Sequence, residues 1–459
     1  MKSRSWSIAG VALLPLTVPL VASAHAFGQQ YTLPLPLSFY IVGGVSAFVA
    51  SCAVIFLFSD PRPASEGPRV LVVRRLPPAV AKTLRWSGIT LAFLLLGIAV
   101  FGSQNWYENP VEDIFWVWLL LGFTYVNVFV AGLWDYINPF KTIARWVGEL
   151  TPDTPSGYPS WLGYVPVIIL FFGLVSLELF SNGLGTYPIV LAGVFMLYAL
   201  ICNFGSAAFG IDAWFYHADF FTVFFDLVGT FAPVRLKETT LEITYPGERL
   251  VAESASRADL ILFVLFILAA TALDGLKDTG VWNLVVSYYL PHWGIPLDPN
   301  IFGMLMLLIV PFVFFGLYIL AIALGRALTR TTLTLRHLVL RFGYSLVPIA
   351  VAYHFAHYFD FLIGEVQRPI PLLSDPLTRG WNLFGTKAYV VNLIPLGADT
   401  IWYVQLGAIV LGHIIAAVIA HRIAVRTFTS KRDIILSQLP MLVLMVFYTA
   451  LGLWILAQR

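Results

Sequence analysis

Charge is what this sequence lacks. Of 459 residues only 11% are Asp, Glu, Lys or Arg, less than half the roughly 25% of a soluble globular protein. Beside 59% apolar and 15% aromatic residues, that deficit excludes a nucleic-acid-binding protein, a soluble cytoplasmic enzyme and a disordered scaffold. Cysteine is nearly absent too. Cys52 and Cys202 sit in separate apolar runs, so neither a disulfide framework nor a cysteine metal site is expected. Also missing are a Walker loop, a dinucleotide-binding glycine pattern, Gly-x-Ser-x-Gly, His-Glu-x-x-His and Cys-x-x-Cys-His. Their absence sets aside an ATP-driven pump, a serine-triad lipase and a covalently attached haem.

What the sequence has in abundance is long apolar runs. The chain opens with Lys2 and Arg4, continues apolar from Ile8 to Val21 and then reads Ala22-Ser23-Ala24. A basic start, an apolar stretch and a small-x-small site predict a signal peptide over residues 1–24, with His25 first in the mature chain. Ten further apolar runs follow, near 37–59, 87–102, 113–133, 162–181, 187–210, 259–274, 300–325, 343–363, 400–421 and 434–457. Each approaches the roughly 20 residues a membrane span needs. The expected fold is therefore all-α, a polytopic transmembrane bundle of about ten spans, with residues 25–459 as one membrane-embedded domain.

Sidedness follows from the basic residues. Ten spans starting outside leave five loops inside, and those loops hold 20 of the 27 Lys and Arg residues. The outer loops and C-terminus hold Lys277, Arg368, Arg379, Lys387 and Arg459, and the remaining two lie in the signal region. This bias predicts a multi-pass membrane protein with both mature termini on the outer side. Its longest cytoplasmic loop is 211–258. The aromatic stretch Trp214 to Phe231 within it is expected to lie in the membrane interface. The alternating residues Thr239–Tyr245, closed by Pro246-Gly247, suggest a small hairpin. Outer loops 275–299 and 364–399 are long enough to cap a cavity. One weak repeat is visible: Trp134-x-Tyr136-x-x-x-Phe140-x-Thr142 recurs as Trp214-x-Tyr216-x-x-x-Phe220-x-Thr222. Interfacial aromatic preference alone accounts for such a pattern as readily as duplication does.

Ionisable groups inside spans are costly and therefore informative. The run from Ala352 to Asp360 contains His354, His357 and Asp360. The two histidines fall about 60° apart on neighbouring helical turns, and Asp360 continues the stripe. Such a pair suits one metal ion, with a carboxylate as third ligand or as an orienting partner. An inter-helix hydrogen-bonding pair with no ligand would use the same residues. His25, with its free α-amino group, would be a compact donor suited to copper. His413 lies nearer mid-membrane than His421, placed to face the stripe or, as the alternative, to share a b-type haem with it. Among the carboxylates at outer span ends, Asp274 closes a long apolar run and is the one singled out to orient water or accept its proton.

Three segments carry a resemblance. His25-Ala26-Phe27-Gly28-Gln29-Gln30-Tyr31-Thr32-Leu33-Pro34-Leu35-Pro36-Leu37 after the signal region resembles the bacterial integral membrane proteins named for fenitrothion hydrolase. So do Gly412-His413 with Ala420-His421-Arg422, and Ser437-Gln438-Leu439-Pro440-Met441-Leu442-Val443-Leu444-Met445 leading to Leu453-Trp454. The resemblance implies hydrolysis of an organophosphorus triester to a nitrophenol and a dialkyl thiophosphate. It brings no agreed catalytic motif. Joined to the residues above, the expectation is a hydrolase of apolar small molecules at the outer face. His25, His354, His357 and His413 would hold a divalent metal ion such as copper or zinc, with Asp274 and Asp360 as catalytic carboxylates. The alternatives are a copper- or haem-binding protein of respiratory assembly or electron transfer, and a transporter.

Overall fold

The structure is a computed structural model that describes residues 36–58, 68–148, 157–237, 239–295 and 297–458. The expected signal peptide and His25 lie outside the described residues. Helices α1 (Leu37–Phe58) and α2 (Pro78–Phe101) form the first two crossings. The third is built in pieces: α3 (Val111–Asp113), a π-helical stretch Ile114–Gly122 and α4 (Phe123–Asn127). Its indoles anchor it at both sides, Trp116 donating to the Gly185 carbonyl and Trp118 to that of Val366, each at 2.9 Å. Short helices α5 (Trp134–Ile137) and α6 (Pro139–Gly148) follow, then the crossings α7 (Val165–Leu179) and α8 (Pro188–Phe209). Helices α9 (Ile211–His217), α10 (Phe220–Val228) and α11 (Glu248–Ala252) precede the central crossing α12 (Ala258–Lys277). Beyond α13 (Gly280–Leu284) and α14 (Leu290–His292) come α15 (Pro299–Thr329), α16 (Leu335–Phe342), α17 (Val347–Glu365), α18 (Pro369–Ser374), α19 (Ala398–Thr427) and α20 (Lys431–Leu456).

The protein is thus an all-α polytopic membrane bundle. Among the described residues, eight helices are long and apolar enough to cross a bilayer. The two remaining apolar runs of the sequence are built differently. The third is interrupted by the π-helical stretch, and the fourth is the 15-residue helix α7. Both nevertheless connect opposite faces. The Tyr164 amide, at the start of α7, donates to the Asp259 carboxylate at the start of α12. Beyond the other end of α7, Asn182 accepts from Asn300 at the start of α15.

One face carries a small sheet. Strands β1 (Val70–Arg75), β2 (Val130–Ala131), β3 (Val234–Lys237) and β4 (Thr240–Thr244) lie in the order β1-β4-β3-β2. A hairpin forms here but begins earlier than the expected Thr239–Tyr245: β3 and β4 are antiparallel with Leu236 opposite Leu241, and Pro246-Gly247 lies beyond β4 rather than closing the turn. β1 adds to its edge from a segment 165 residues earlier, where Arg75 pairs with Thr240. Ion pairs tie further loops to this face. The buried Glu248 carboxylate receives Arg422 at 2.7 Å and Arg426 at 3.1 Å. Arg341 donates to the carbonyls of Val251 and Glu253, each at 3.0 Å. The loops counted as basic in the sequence therefore meet on this one side, called here the sheet face; the opposite side is the far face.

The segment expected in the interface divides. Tyr216 in α9 is exposed, but α10 is buried within the bundle, its Phe220 ring packing on Phe171 of α7 and Phe263 of α12. It can enter because its first turn is fully supplied. Asp219 caps it by accepting from the Thr222 amide at 2.9 Å, and Asn138 and the Tyr198 hydroxyl also donate to that carboxylate. A buried helix start needs such partners. The two repeated motifs touch here: Phe140 stacks on Phe221 at 6.1 Å, and Asn138 before α6 meets Asp219 before α10.

Helix α12 is the hub, buried over most of its length. Helix α17 packs beside it and is crossed closely by α19 at Gly412, where any Cβ would overlap the Ala352 methyl. Small residues at such crossings let helix backbones approach, which is how membrane helices gain dispersion contact.

Candidate functional site

The strongest polar constellation within the bundle lies where the last turns of α12 face α17. Asp274 ends a stretch whose one polar side chain from Leu260 onward is Thr271, and it is 7% exposed; His357 is 3% exposed. His357 Nε2 lies 2.8 Å from Asp274 Oδ2, and the Tyr358 hydroxyl donates to the same oxygen at 2.8 Å. Because the carboxylate accepts, the ring proton is assigned to Nε2, which makes Nδ1 the lone-pair nitrogen. On the other carboxylate oxygen, Lys277 Nζ approaches Oδ1 at 3.2 Å and reaches Asp278 at 3.8 Å. A buried carboxylate needs this degree of compensation. Lys277 also sits in the last turn of α12, where a cation complements the helix dipole.

Geometry explains why the pair can form. Gly275 follows Asp274, and a Cβ there would come within 3.2 Å of His357 Cε1 and 2.5 Å of Ile455 in α20. The missing side chain admits both neighbours. From α7, Glu178 interacts electrostatically with Asp274, Lys277 and Glu112, extending the polar region toward the third crossing.

The other predicted residues are placed apart. His354, one turn earlier on α17, turns to the third crossing, its Nδ1 3.0 Å from the Tyr125 hydroxyl. It borders a small cavity of about 10 Å³ among Thr124, Phe224, Leu227, Val264 and Val351, space for about one water. His413 contacts the Ile409 carbonyl through Nδ1 at 2.8 Å and packs its ring on Phe48 of α1 at 5.9 Å. Asp360 is half-buried on the turn after His357.

The structure thus brings Asp274 to His357 and sends His354 and His413 to different neighbours. Among the described residues no group of three His, Cys, Asp or Glu side chains is arranged to hold a metal ion. His413 packs against Phe48 and its own helix's Ile409 carbonyl, and His25, the remaining expected ligand, lies outside the described residues. The chemistry proposed for the site therefore uses the protein's own groups. Sequence reasoning missed Lys277, Tyr358 and Tyr125 as members. Lys277 was legible, three residues after Asp274 and so on the same helical face. Tyr125, 229 residues from His354, carried no local signal.

No family model, curated protein or solved structure matches this chain.

Proposed function

We propose that this chain is a membrane-embedded hydrolase of apolar phosphotriesters, with thiophosphates of the fenitrothion type as model substrates. The observation that carries the reading is the Asp274–His357 contact. A buried carboxylate holding one imidazole nitrogen fixes the tautomer and leaves the other to accept a proton, the arrangement of a general base. Water attacks phosphorus, the P–O(aryl) bond breaks, nitrophenolate departs, and the water proton passes to His357 Nδ1 and then to solvent. Asp274 orients the imidazole and balances its charge once protonated. Lys277 and Tyr358 hold Asp274 in place. An apolar triester partitions into the bilayer, so entry from lipid suits a site within the helices. Substrate reaches His357 by opening the Lys277–Asp278 rim, where Lys277 is 20% exposed.

The basic loops meeting at the sheet face support placing that face in the cytoplasm of a bacterium. The site then faces outward, and α20 ends on the outer side. The resemblance in the Gly412-His413, Ala420-His421-Arg422 and Ser437–Met445 segments supports the same substrate class.

The test is nitrophenolate release by the purified protein in lipid nanodiscs. Wild type is expected to turn over, with rate falling about 10²–10⁴-fold in His357→Asn and comparably in Asp274→Asn. Unchanged rates in both variants would overturn the assignment.

A second reading, a proton-coupled transporter, is favoured by one observation: His354, His357, Asp274 and Lys277 succeed one another toward the far face. It predicts proton flux in liposomes without any product release.

A further inference from the structure

A second polar cluster lies at the far face, at the start of the third crossing, and the hydrolase reading makes no use of it. Glu112 and Asp113 are 4% and 1% exposed. Val111 and Trp116, on the same stretch of chain, pack with Ala99 of α2 and Leu191 and Ala192 of α8 in one apolar cluster. A single guanidinium serves the acids. Arg368 Nη1 lies 3.5 Å from Asp113 Oδ1 and 3.1 Å from Glu365 Oε2. The same guanidinium stacks over Trp106 and Tyr107, at 5.0 and 5.4 Å from the ring centroids, which fixes it in place. From α7, Glu178 adds a further acidic group within electrostatic reach of Glu112.

The charges do not balance. Glu112, Asp113 and Glu365 against Arg368 leave two surplus negative charges if all three acids are ionised. Burying unpaired carboxylates costs several kcal/mol each, and two adjacent ones resolve the conflict by sharing a proton. A second observation points the same way. Asp113 Oδ2 is buried and has no hydrogen-bond partner among the described residues, although the Glu112 and Asp113 carboxyls lie within hydrogen-bonding reach of each other. Two carboxylates cannot bond, because neither has a donor. One added proton supplies it.

We propose that Glu112 and Asp113 form a proton-binding site at the far face, holding one exchangeable proton between them at neutral pH. Arg368 anchors the pair and Glu365 completes the anchor's ion pairing. The ligand is the proton itself. The cluster communicates with the Asp274–Lys277 pair through Glu178, which interacts electrostatically with members of both. The site stands whether or not the chain is a hydrolase.

Infrared difference spectroscopy of the full-length protein in nanodiscs tests this. A protonated carboxyl absorbs apart from a carboxylate, and its band shifts in D₂O when the proton exchanges. At pH 7 the wild type is expected to show such a band. Glu112→Gln and Asp113→Asn should each lose one carboxyl's intensity, and Glu248→Gln on the sheet face, outside the cluster, should retain it. All three replacements are nearly isosteric, and a monodisperse elution profile selects folded samples. Persistence of the full band in both Glu112→Gln and Asp113→Asn would overturn the proposal. So would its disappearance from the wild type on adding Mg²⁺ or Ca²⁺, which would make the cluster a cation site.

Discussion

Replacing Asp274 with alanine removes a carboxylate toward which three side chains converge: His357 Nε2 at 2.8 Å, the Tyr358 hydroxyl at 2.8 Å and Lys277 Nζ at 3.2 Å. The gross attraction to Lys277 at 3.2 Å is about 5 kcal/mol at an effective dielectric of 20. Desolvation of both ions offsets most of that, so the intact pair contributes far less than the gross figure. Breaking it is another matter, because an ammonium and an imidazole lose their shared acceptor. Removing one partner of a buried pair costs about 3–5 kcal/mol, whereas hydrogen bonds between membrane helices measure about 0.6 kcal/mol with a ceiling near 1.7. Asp274→Ala should therefore cost about 3 kcal/mol, and Asp274→Asn, which keeps an acceptor, less. A double-mutant cycle with His357→Ala isolates the contact. Its coupling energy, read from SDS-induced unfolding, is expected at about 1–2 kcal/mol. Additivity of the two replacements to within about 0.5 kcal/mol would refute the pairing on which the site is built.

Other parts of the fold make separate predictions. Gly412→Val places methyl groups where Ala352 already sits; overpacking of this kind costs about 1–3 kcal/mol, measured in the same unfolding assay. Glu248→Gln leaves Arg422 and Arg426 without their carboxylate. A loss of about 1–3 kcal/mol should appear as faster tryptic cutting after those two arginines. In the far-face loop, Lys387 beside Asp375, together with the Arg379 and Gly380 amides, holds that carboxyl down to about 2 from its ordinary 3.8. A depressed carboxyl stabilises the loop above pH 4 and loses that contribution as pH falls toward 2. Hydrogen exchange at Arg379 and Gly380 should accelerate over that window in wild type and lose the dependence in Asp375→Asn.

Much of the architecture was legible because burial in a bilayer leaves a crude signal. Long apolar runs mark α12 and α15 without any knowledge of partners. Basic residues mark the loops that the structure gathers on the sheet face. The third crossing was legible as apolar but not as π-helical, since its backbone is set by where Trp116 and Trp118 find carbonyls on other segments. Likewise α10 read as interfacial because a Phe-rich stretch next to Asp219 looks amphipathic. Its burial depends on Tyr198 and Asn138 supplying that carboxylate, which are contacts between distant segments. β1 was invisible for the same reason: its partner strand begins 165 residues later.

The site divides along the same line. Asp274 stood out as a carboxylate ending an apolar run, and His357 as an ionisable group inside a span. Helical spacing grouped His357 with His354, since 60° on a helix places two rings on one side. The packing separates them, because α12 presents an acid to one ring and the third crossing presents Tyr125 to the other. Spacing along one helix limits which residues can act together, and the neighbouring helices determine which of them do.

The central claim, that His357 oriented by Asp274 activates water within the membrane, is tested most directly by turnover in ¹⁸O-labelled water. Purified protein in nanodiscs would be given a 4-nitrophenyl thiophosphate triester and its products analysed by mass. The account predicts one ¹⁸O in the dialkyl thiophosphate, none in the nitrophenol, and loss of labelled product in His357→Asn. Label in the nitrophenol, or labelled thiophosphate formed equally well by His357→Asn, would contradict it.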